Sequence, residues 1–508
     1  MGRKDIGKAK RKKIAGILSV DIEDRHLTRL MAGPLDELAF QNAIALRDPD
    51  EDDQSNIWVT RDFFRNKLQR MSAKRSLQIL EVVLSRFRFV QILADARSNP
   101  QEIFETLNHD GIPLSQVDLV RNYLFMTAGA YADRVYKSHW VKTEEKLPEG
   151  LLRRYLLSWC LFEAAVQPRS HVSPTENTLY VSFKSLVAPR LGSTTAAQRT
   201  IEVICDESAP FSHFMLPGKI EVSGQTPRRI KYLLSELRSF KSTGPADPVL
   251  YQLQYCWEHG SLDDLTYLRA LRRIEAFLVR WVLVGNNQSA LTSYFRILSL
   301  SGDLVSGGLD PDRVLTAYFR HAPLGLAPDL VAIRKSFNER DFYKSDSQHK
   351  YIFRRLIQCR QQRIGISSFM HQPFDPQTAE STEVPNNWTI DHIMPQDLKY
   401  WIPDLKRWGV DEDQAAQMVN RIGNLALLPR PTNSAVQNFP WDRPATSGQG
   451  RRKGDPVSKR DWYGSVAKAF HTDIRRIARF DLNAISRRGD RLAELADQIW
   501  PNPTQAKM

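Results

Sequence analysis

The sequence predicts a mainly α chain of the α+β kind, with a C-terminal unit built on a short hairpin. Three observations lead there. Apolar residues recur at helical spacing in Leu77, Leu80, Val83 and Leu84, and again in Leu265, Leu268, Leu271, Ile274, Leu278 and Trp281. Strand-like runs are few and short. Two of them flank a pair of chemically active residues: Asn387-Trp388-Thr389-Ile390 leads into Asp391-His392, and Asn424-Leu425-Ala426-Leu427-Leu428 follows after a loop.

The chain has 508 residues, 42% of them hydrophobic and 25% charged, which suits two to four globular domains. A net charge of +13 is compatible with a polyanionic partner but does not say which. The four cysteines (Cys160, Cys205, Cys256, Cys359) form no C-x-x-C pair, which argues against a disulfide framework or a cysteine zinc site and for a reducing compartment. No apolar run reaches membrane-span length, and the basic N-terminus is not followed by an apolar signal core. The cytoplasm is the expected compartment, with no membrane association.

In chain order, residues 1–13 form a basic arm, read as a frayed terminus or a phosphate contact. Residues 14–95 are expected to be mainly helical, with one short strand at Ile14–Val20 and another from Phe87 to Leu93. Residues 103–124 read as helix, turn, helix. Asp110-Gly111 and Pro113 make the turn, and Ser115 caps the second helix with Asp118 three residues on. Residues 146–365 read as helices, with Leu179–Phe183 either a strand or a helix start. Arg269, Arg272, Arg273 and Arg280, then Arg354, Arg355 and Arg360, form basic faces. Each alone is ordinarily a solvated helix face; together they suit a nucleic-acid groove. Residues 366–384 suit a linker. Thr446–Asp455, with Arg451, Arg452 and Lys453 among glycines, reads as a flexible basic loop over a phosphate backbone. A last helix carries Leu492, Leu495, Ala496 and Ile499 on one face and stops at Pro501.

The hairpin carries the chemistry. Phosphodiester hydrolysis needs an activated water and neutralised phosphate charge. A histidine near neutral pKa can take the water's proton, and one hard divalent ion can supply the charge. His392 is the candidate general base. Asp391 is the candidate metal ligand, its plainer role being a strand-end turn contact. Asn433, at a helix start, is the candidate second ligand or else an N-cap. Gly423 permits a tight approach before the second strand.

The words Asp391-His392-Ile393-Met394-Pro395-Gln396, with Asn424-Leu425-Ala426-Leu427-Leu428 and Asn433, resemble the HNH (ββα-metal, His-Me finger) nuclease motif. The resemblance implies Mg²⁺ or Mn²⁺ at Asp391 and Asn433, and catalytic duty for His392, Asp391, Asn424 and Asn433. Asn424 is expected to hold the loop beneath His392 rather than bind metal. Arg443 takes the place of a family lysine that can contact phosphate. Zinc-bearing members have two cysteines where this chain has Pro429 and Thr432, so no structural zinc is expected.

A second resemblance lies upstream. Phe104-Glu105-x-Leu107-Asn108-x-x-Gly111-x-Pro113-Leu114-x-x-x-Asp118-Leu119-x-x-Asn122-Tyr123 is similar to the C-terminal part of the ParB/sulfiredoxin-like domain of GmrSD-type restriction proteins, in which an HNH domain follows through a helical region. The implied domains are 1–145 (ParB/sulfiredoxin-like, GmrS-type, C-terminal part), 146–365 (helical connection) and 366–508 (HNH, GmrD-type). The family's Asp-Gly-Gln-Gln-Arg motif is absent. NTP use by this chain alone is therefore not expected, and a separate protein carrying the missing half is the expected partner. The implied function is a type IV, modification-dependent restriction endonuclease acting on modified or foreign DNA in phage defence. A non-catalytic nucleic-acid-binding scaffold and an RNA-cleaving toxin are the alternatives.

Overall fold

The computed structural model describes residues 14, 16–17, 19–22, 25–28, 30, 32, 36–49, 55–88, 114–167, 172–221, 223–240, 243–306, 308–320, 327–343, 347–361, 388–429, 438–443, 458–465, 474 and 476–505. They are mainly α-helical, with two separate two-stranded antiparallel sheets. The chain divides into two compact units, Met1–Pro148 with Arg190–Cys205, and Glu149–Pro189 with Asp206–Met508.

In the first unit, β1 (Ser19–Ile22) pairs with β2 (Arg25–Thr28), Ser19 opposite Thr28. The strand expected at Ile14–Val20 is thus displaced: residues 14, 16 and 17 are helical, and the extended segment begins where a partner strand supplies its hydrogen bonds. The Leu77-to-Leu84 spacing does form a helix, Ala73–Arg86, whose Ser72 cap accepts from Arg75 N–H at 3.2 Å. Residues 87–88 carry no regular structure, and the rest of the strand expected there lies outside the described residues, as do residues 103–113. The helix expected after them is present as Gln116–Ala128. Ser115 Oγ accepts from Asp118 N–H at 3.2 Å and donates to the Asp118 carboxylate at 2.8 Å, an N-cap supported by a side-chain bond to the aspartate three residues on.

The second unit holds the middle helices and the hairpin region. Leu179–Phe183 resolves as the start of a helix, Leu179–Val187. The long helix is Asp264–Leu283, capped by Asp263, whose carboxylate accepts from Leu265 and Thr266 N–H, both at 3.0 Å. It is buried on nearly every side from Tyr267 onward, and Phe277 stacks on Phe319 with centroids 4.1 Å apart. The basic face expected on this helix is lost at two of its four positions, while Arg269 is exposed and Arg272 half-buried. Arg273 and Arg280 are fully buried. Arg273 forks onto Asp312 at 2.6 and 3.0 Å and donates to the carbonyls of Pro503 and Gln505 at 2.6 and 2.8 Å. Arg280 donates to the carbonyls of Trp500 and Pro328 at 2.6 and 2.7 Å and pairs with Asp497. Arg355 is buried against Glu275, and Arg354 forks onto Glu236. Burying an uncompensated guanidinium costs several kcal/mol, so these arginines are inside because carboxylates and carbonyls meet them. Arg273, Arg280 and Arg355 are withdrawn from any nucleic-acid groove, while Arg354 is half-buried.

In the C-terminal part, β3 (Trp388–His392) pairs antiparallel with β4 (Leu425–Pro429), His392 opposite Leu425 and Asp391 opposite Ala426. Residues Ile422–Asn424 form a 3₁₀ turn, so the second strand starts one residue after Asn424. The hairpin sits on a core containing Ile393, Met394, Trp401, Trp441, Trp462, Phe480 and Ile485, with Trp408 packed at its edge. The closing helix, Leu482–Ile499, is capped by Asp481, which accepts from Ala484 N–H at 2.9 Å. Leu492, Ala496 and Ile499 face inward, and Trp500 Nε1 donates to Glu275 Oε1 at 3.2 Å. Cys160, Cys205 and Cys256 are buried free thiols. No helix among the described residues is long and apolar enough to cross a membrane.

Candidate active site at the Asp391–His392 hairpin

The site begins with a glycine. At Gly423 a Cβ would meet the carbonyl oxygen of Ile485 at 2.0 Å, so only glycine lets the 3₁₀ turn lie against the closing helix. Arg488 of that helix, itself buried, donates to the carbonyls of Gly423 and Leu425, both at 2.8 Å. The turn is thereby held from below.

Above it sits Asn424, with no exposed surface. Its side-chain oxygen accepts from Met394 N–H at 2.7 Å. Its amide nitrogen donates to the carbonyls of Met394 and Val419 at 2.8 and 2.7 Å. Its own carbonyl accepts from Ile393 N–H at 2.8 Å. The side-chain oxygen and one amide hydrogen are committed to the loop that follows His392 and the other hydrogen to Val419, so Asn424 ties that loop to the segment ahead of its own turn.

Asp391 and His392 end β3. Asp391 is buried, and burial raises its pKa above the ordinary 3.8; Lys459, His392, the Tyr463 hydroxyl and the His392 N–H all pull the other way. Tyr463 donates to Asp391 Oδ2 at 3.2 Å, and Lys459 Nζ stands 3.6 Å from the same oxygen. Lys459 has no exposed surface. It donates to the His392 carbonyl at 2.5 Å, and burial lowers its pKa against the pull of Asp391. Lys459 and Tyr463 share one face of the helix Lys459–Ser465, four residues apart. Ser458 caps that helix, accepting from Asp461 N–H at 3.2 Å, while Lys459 and Arg460 N–H donate to the carbonyls of Pro440 and Trp441. The lysine therefore sets a positive charge beside a carboxylate whose charged form burial disfavours.

His392 is buried too. Its Nε2 lies 2.9 Å from Asn420 Oδ1, and the ring of Tyr343 covers it with centroids 4.1 Å apart. Burial is the largest influence and lowers its pKa below 6.5, with Lys459 acting in the same direction and Asn420 and Asp391 opposing. A neutral imidazole beside a carboxylate is a proton acceptor in waiting.

Of the other sequence-derived candidates, Arg443 is turned onto Asp404 at 2.7 Å and the Tyr400 carbonyl at 3.3 Å. Asp404 is fully buried and Arg443, its side chain 38% exposed, supplies a positive charge to it. Asn433, Arg451, Arg452 and the turn after Pro429 lie outside the described residues. Sequence reasoning missed Lys459, Tyr463, Asn420, Tyr343 and Arg488. The one local signal was Ser458 with Asp461 three residues on, a helix start that puts Lys459 and Tyr463 on a common face.

A hard divalent ion can be tested against this donor set. No group of three His, Cys, Asp or Glu side chains gathers among the described residues. What is present is one desolvated carboxylate, Asp391, whose Oδ2 already has Lys459 Nζ at 3.6 Å and the Tyr463 hydroxyl at 3.2 Å. Magnesium-like ions are held through one or two protein oxygens plus substrate phosphate, and Asp391 is a donor of that type.

Compared with known proteins, residues 327–495, about a third of the chain, match the family model described as GmrSD restriction endonucleases, C-terminal domain. No curated protein matches the chain.

Proposed function

We propose, for a chain that carries the C-terminal domain of the GmrSD restriction endonucleases, that the Asp391–His392 hairpin is an HNH-type centre hydrolysing phosphodiesters of modified or foreign DNA. The observation that carries the reading is a buried, neutral-leaning His392 next to a desolvated Asp391, both at the end of one strand whose following loop is held by Asn424. His392 takes the proton of the attacking water. Asn424 keeps the loop beneath His392 in place, and Tyr343 limits water on one face of the ring. Asp391 would hold Mg²⁺ or Mn²⁺, with Asn433 as the second protein ligand. The ion supplies charge neutralisation on the phosphate and the leaving oxygen when bound. Lys459 supplies positive charge at Asp391 and ties the end of β3 to its helix.

The test is Mg²⁺-dependent nicking of plasmid DNA, with EDTA as control and modified and unmodified DNA compared. Cleavage that needs the ion and disappears in His392→Ala, with an unchanged thermal transition, supports the reading. Cleavage at wild-type rate by His392→Ala overturns it. A separate protein that senses the modification is part of the proposal, and co-purification from the native host tests it.

A further inference from the structure

We infer that Asn420 is a positioning residue that sets the tautomer of His392, so that Nε2 carries the hydrogen and Nδ1 is the atom that accepts a proton from water. The inference rests on His392 being the general base and goes beyond it by naming the working nitrogen and the residue that selects it.

The geometry is as follows. Asn420 Oδ1 lies 2.9 Å from His392 Nε2. The same oxygen receives Gln396 Nε2 at 3.3 Å. A carboxamide oxygen has two lone pairs and no hydrogen, so it accepts both contacts, and the imidazole nitrogen facing it must be the N–H. In a neutral imidazole the other nitrogen then holds the lone pair. Asn420 is itself anchored through the backbone. Its carbonyl accepts from Phe342 N–H at 2.8 Å. That bond fixes the segment bearing Tyr343, whose ring lies tilted at 48° against the imidazole. One residue thus orients the base through its side chain and brings the covering ring to it through its main chain. Neighbouring Arg421 pairs with Asp341 at 3.3 Å, which holds the two segments together. The site therefore draws on residues 341–343, which precede the hairpin in the chain.

The experiment uses the full chain labelled with ¹⁵N-histidine, free of metal, and reads the side-chain nitrogens by long-range ¹H–¹⁵N correlation. His392→Ala identifies the resonances. The expected result is a protonated Nε2 and a pyridine-like Nδ1 in the wild type and in Asn420→Asp, which keeps the acceptor oxygen. In Asn420→Leu the Nδ1–H tautomer should become populated, and kcat should fall about 10²-fold with KM for DNA little changed, while Asn420→Asp retains most of kcat. A wild-type His392 protonated on Nδ1 overturns the proposal, as does full kcat in Asn420→Leu. If Asn420→Leu does not fold, the wild-type and Asn420→Asp spectra still decide. A protonated Nε2 together with unimpaired cleavage by His392→Ala would leave the tautomer assignment standing and remove the general-base reading, so the two failures are distinct.

Discussion

Two regions of this molecule bury charge, and they bury it differently. In the helix Asp264–Leu283, Arg273 and Arg280 are surrounded by carboxylates and carbonyls that meet the guanidinium donors. At the end of β3, Asp391 and His392 are buried with their ordinary protonation disturbed: burial raises the one and lowers the other. The first arrangement links distant parts of the second unit, since Arg273 and Arg280 reach residues near 500. The second leaves a carboxylate flanked by Lys459 and the Tyr463 hydroxyl, and an imidazole whose Nε2 lies 2.9 Å from Asn420 Oδ1. Buried charge that is fully satisfied is scaffold. Buried groups whose protonation is shifted by their surroundings are suited to chemistry.

That contrast can be broken in order of expected effect. His392→Ala should reduce DNA cleavage by about 10²–10⁴-fold, the usual contribution of a general base, with little change in melting temperature. Arg273→Met should do the reverse. Leaving Asp312 buried without its partner should cost roughly 3–5 kcal/mol in stability, measured by denaturant unfolding, while cleavage by the folded fraction persists. Equal loss of activity in both variants at unchanged stability would erase the distinction. Gly423→Ala should sit between them, because its Cβ meets the Ile485 carbonyl. A loss of about 1–3 kcal/mol is expected, together with reduced cleavage, since the displaced turn carries Asn424. The smallest effect is on pH. In the proposed general-base role His392 works when neutral, so kcat/KM should rise with pH through the His392 pKa and then level. Burial lowers that pKa, so the rise should lie below 6.5. A rise centred above 6.5 would mean that Asn420 and Asp391 together outweigh burial.

Much of the site's frame was legible locally. Ile390-Asp391-His392 alternates as a strand end, and Gly423-Asn424 marks the tight entry to the second strand. The Ser115 cap and the helical run from Leu268 to Trp281 were also readable, because capping and periodicity involve residues a few positions apart. The first strand was misplaced because Ser19–Ile22 is extended by pairing with Arg25–Thr28, and its composition alone does not show where pairing begins. The arginines were misread for a related reason. An arginine every few residues looks the same whether the facing surface is water or Asp312.

The amino-acid order by itself determined a mainly helical chain, a hairpin ending in Asp391-His392, and the glycine and asparagine that follow the loop. Only the tertiary structure decided what those two residues face. Lys459 and Tyr463 reach them from 67 and 72 positions away, and Asn420 reaches His392 from 28. Local spacing specifies backbone hydrogen bonding, whereas protonation and tautomer depend on burial and on partners that come together only when the chain is folded.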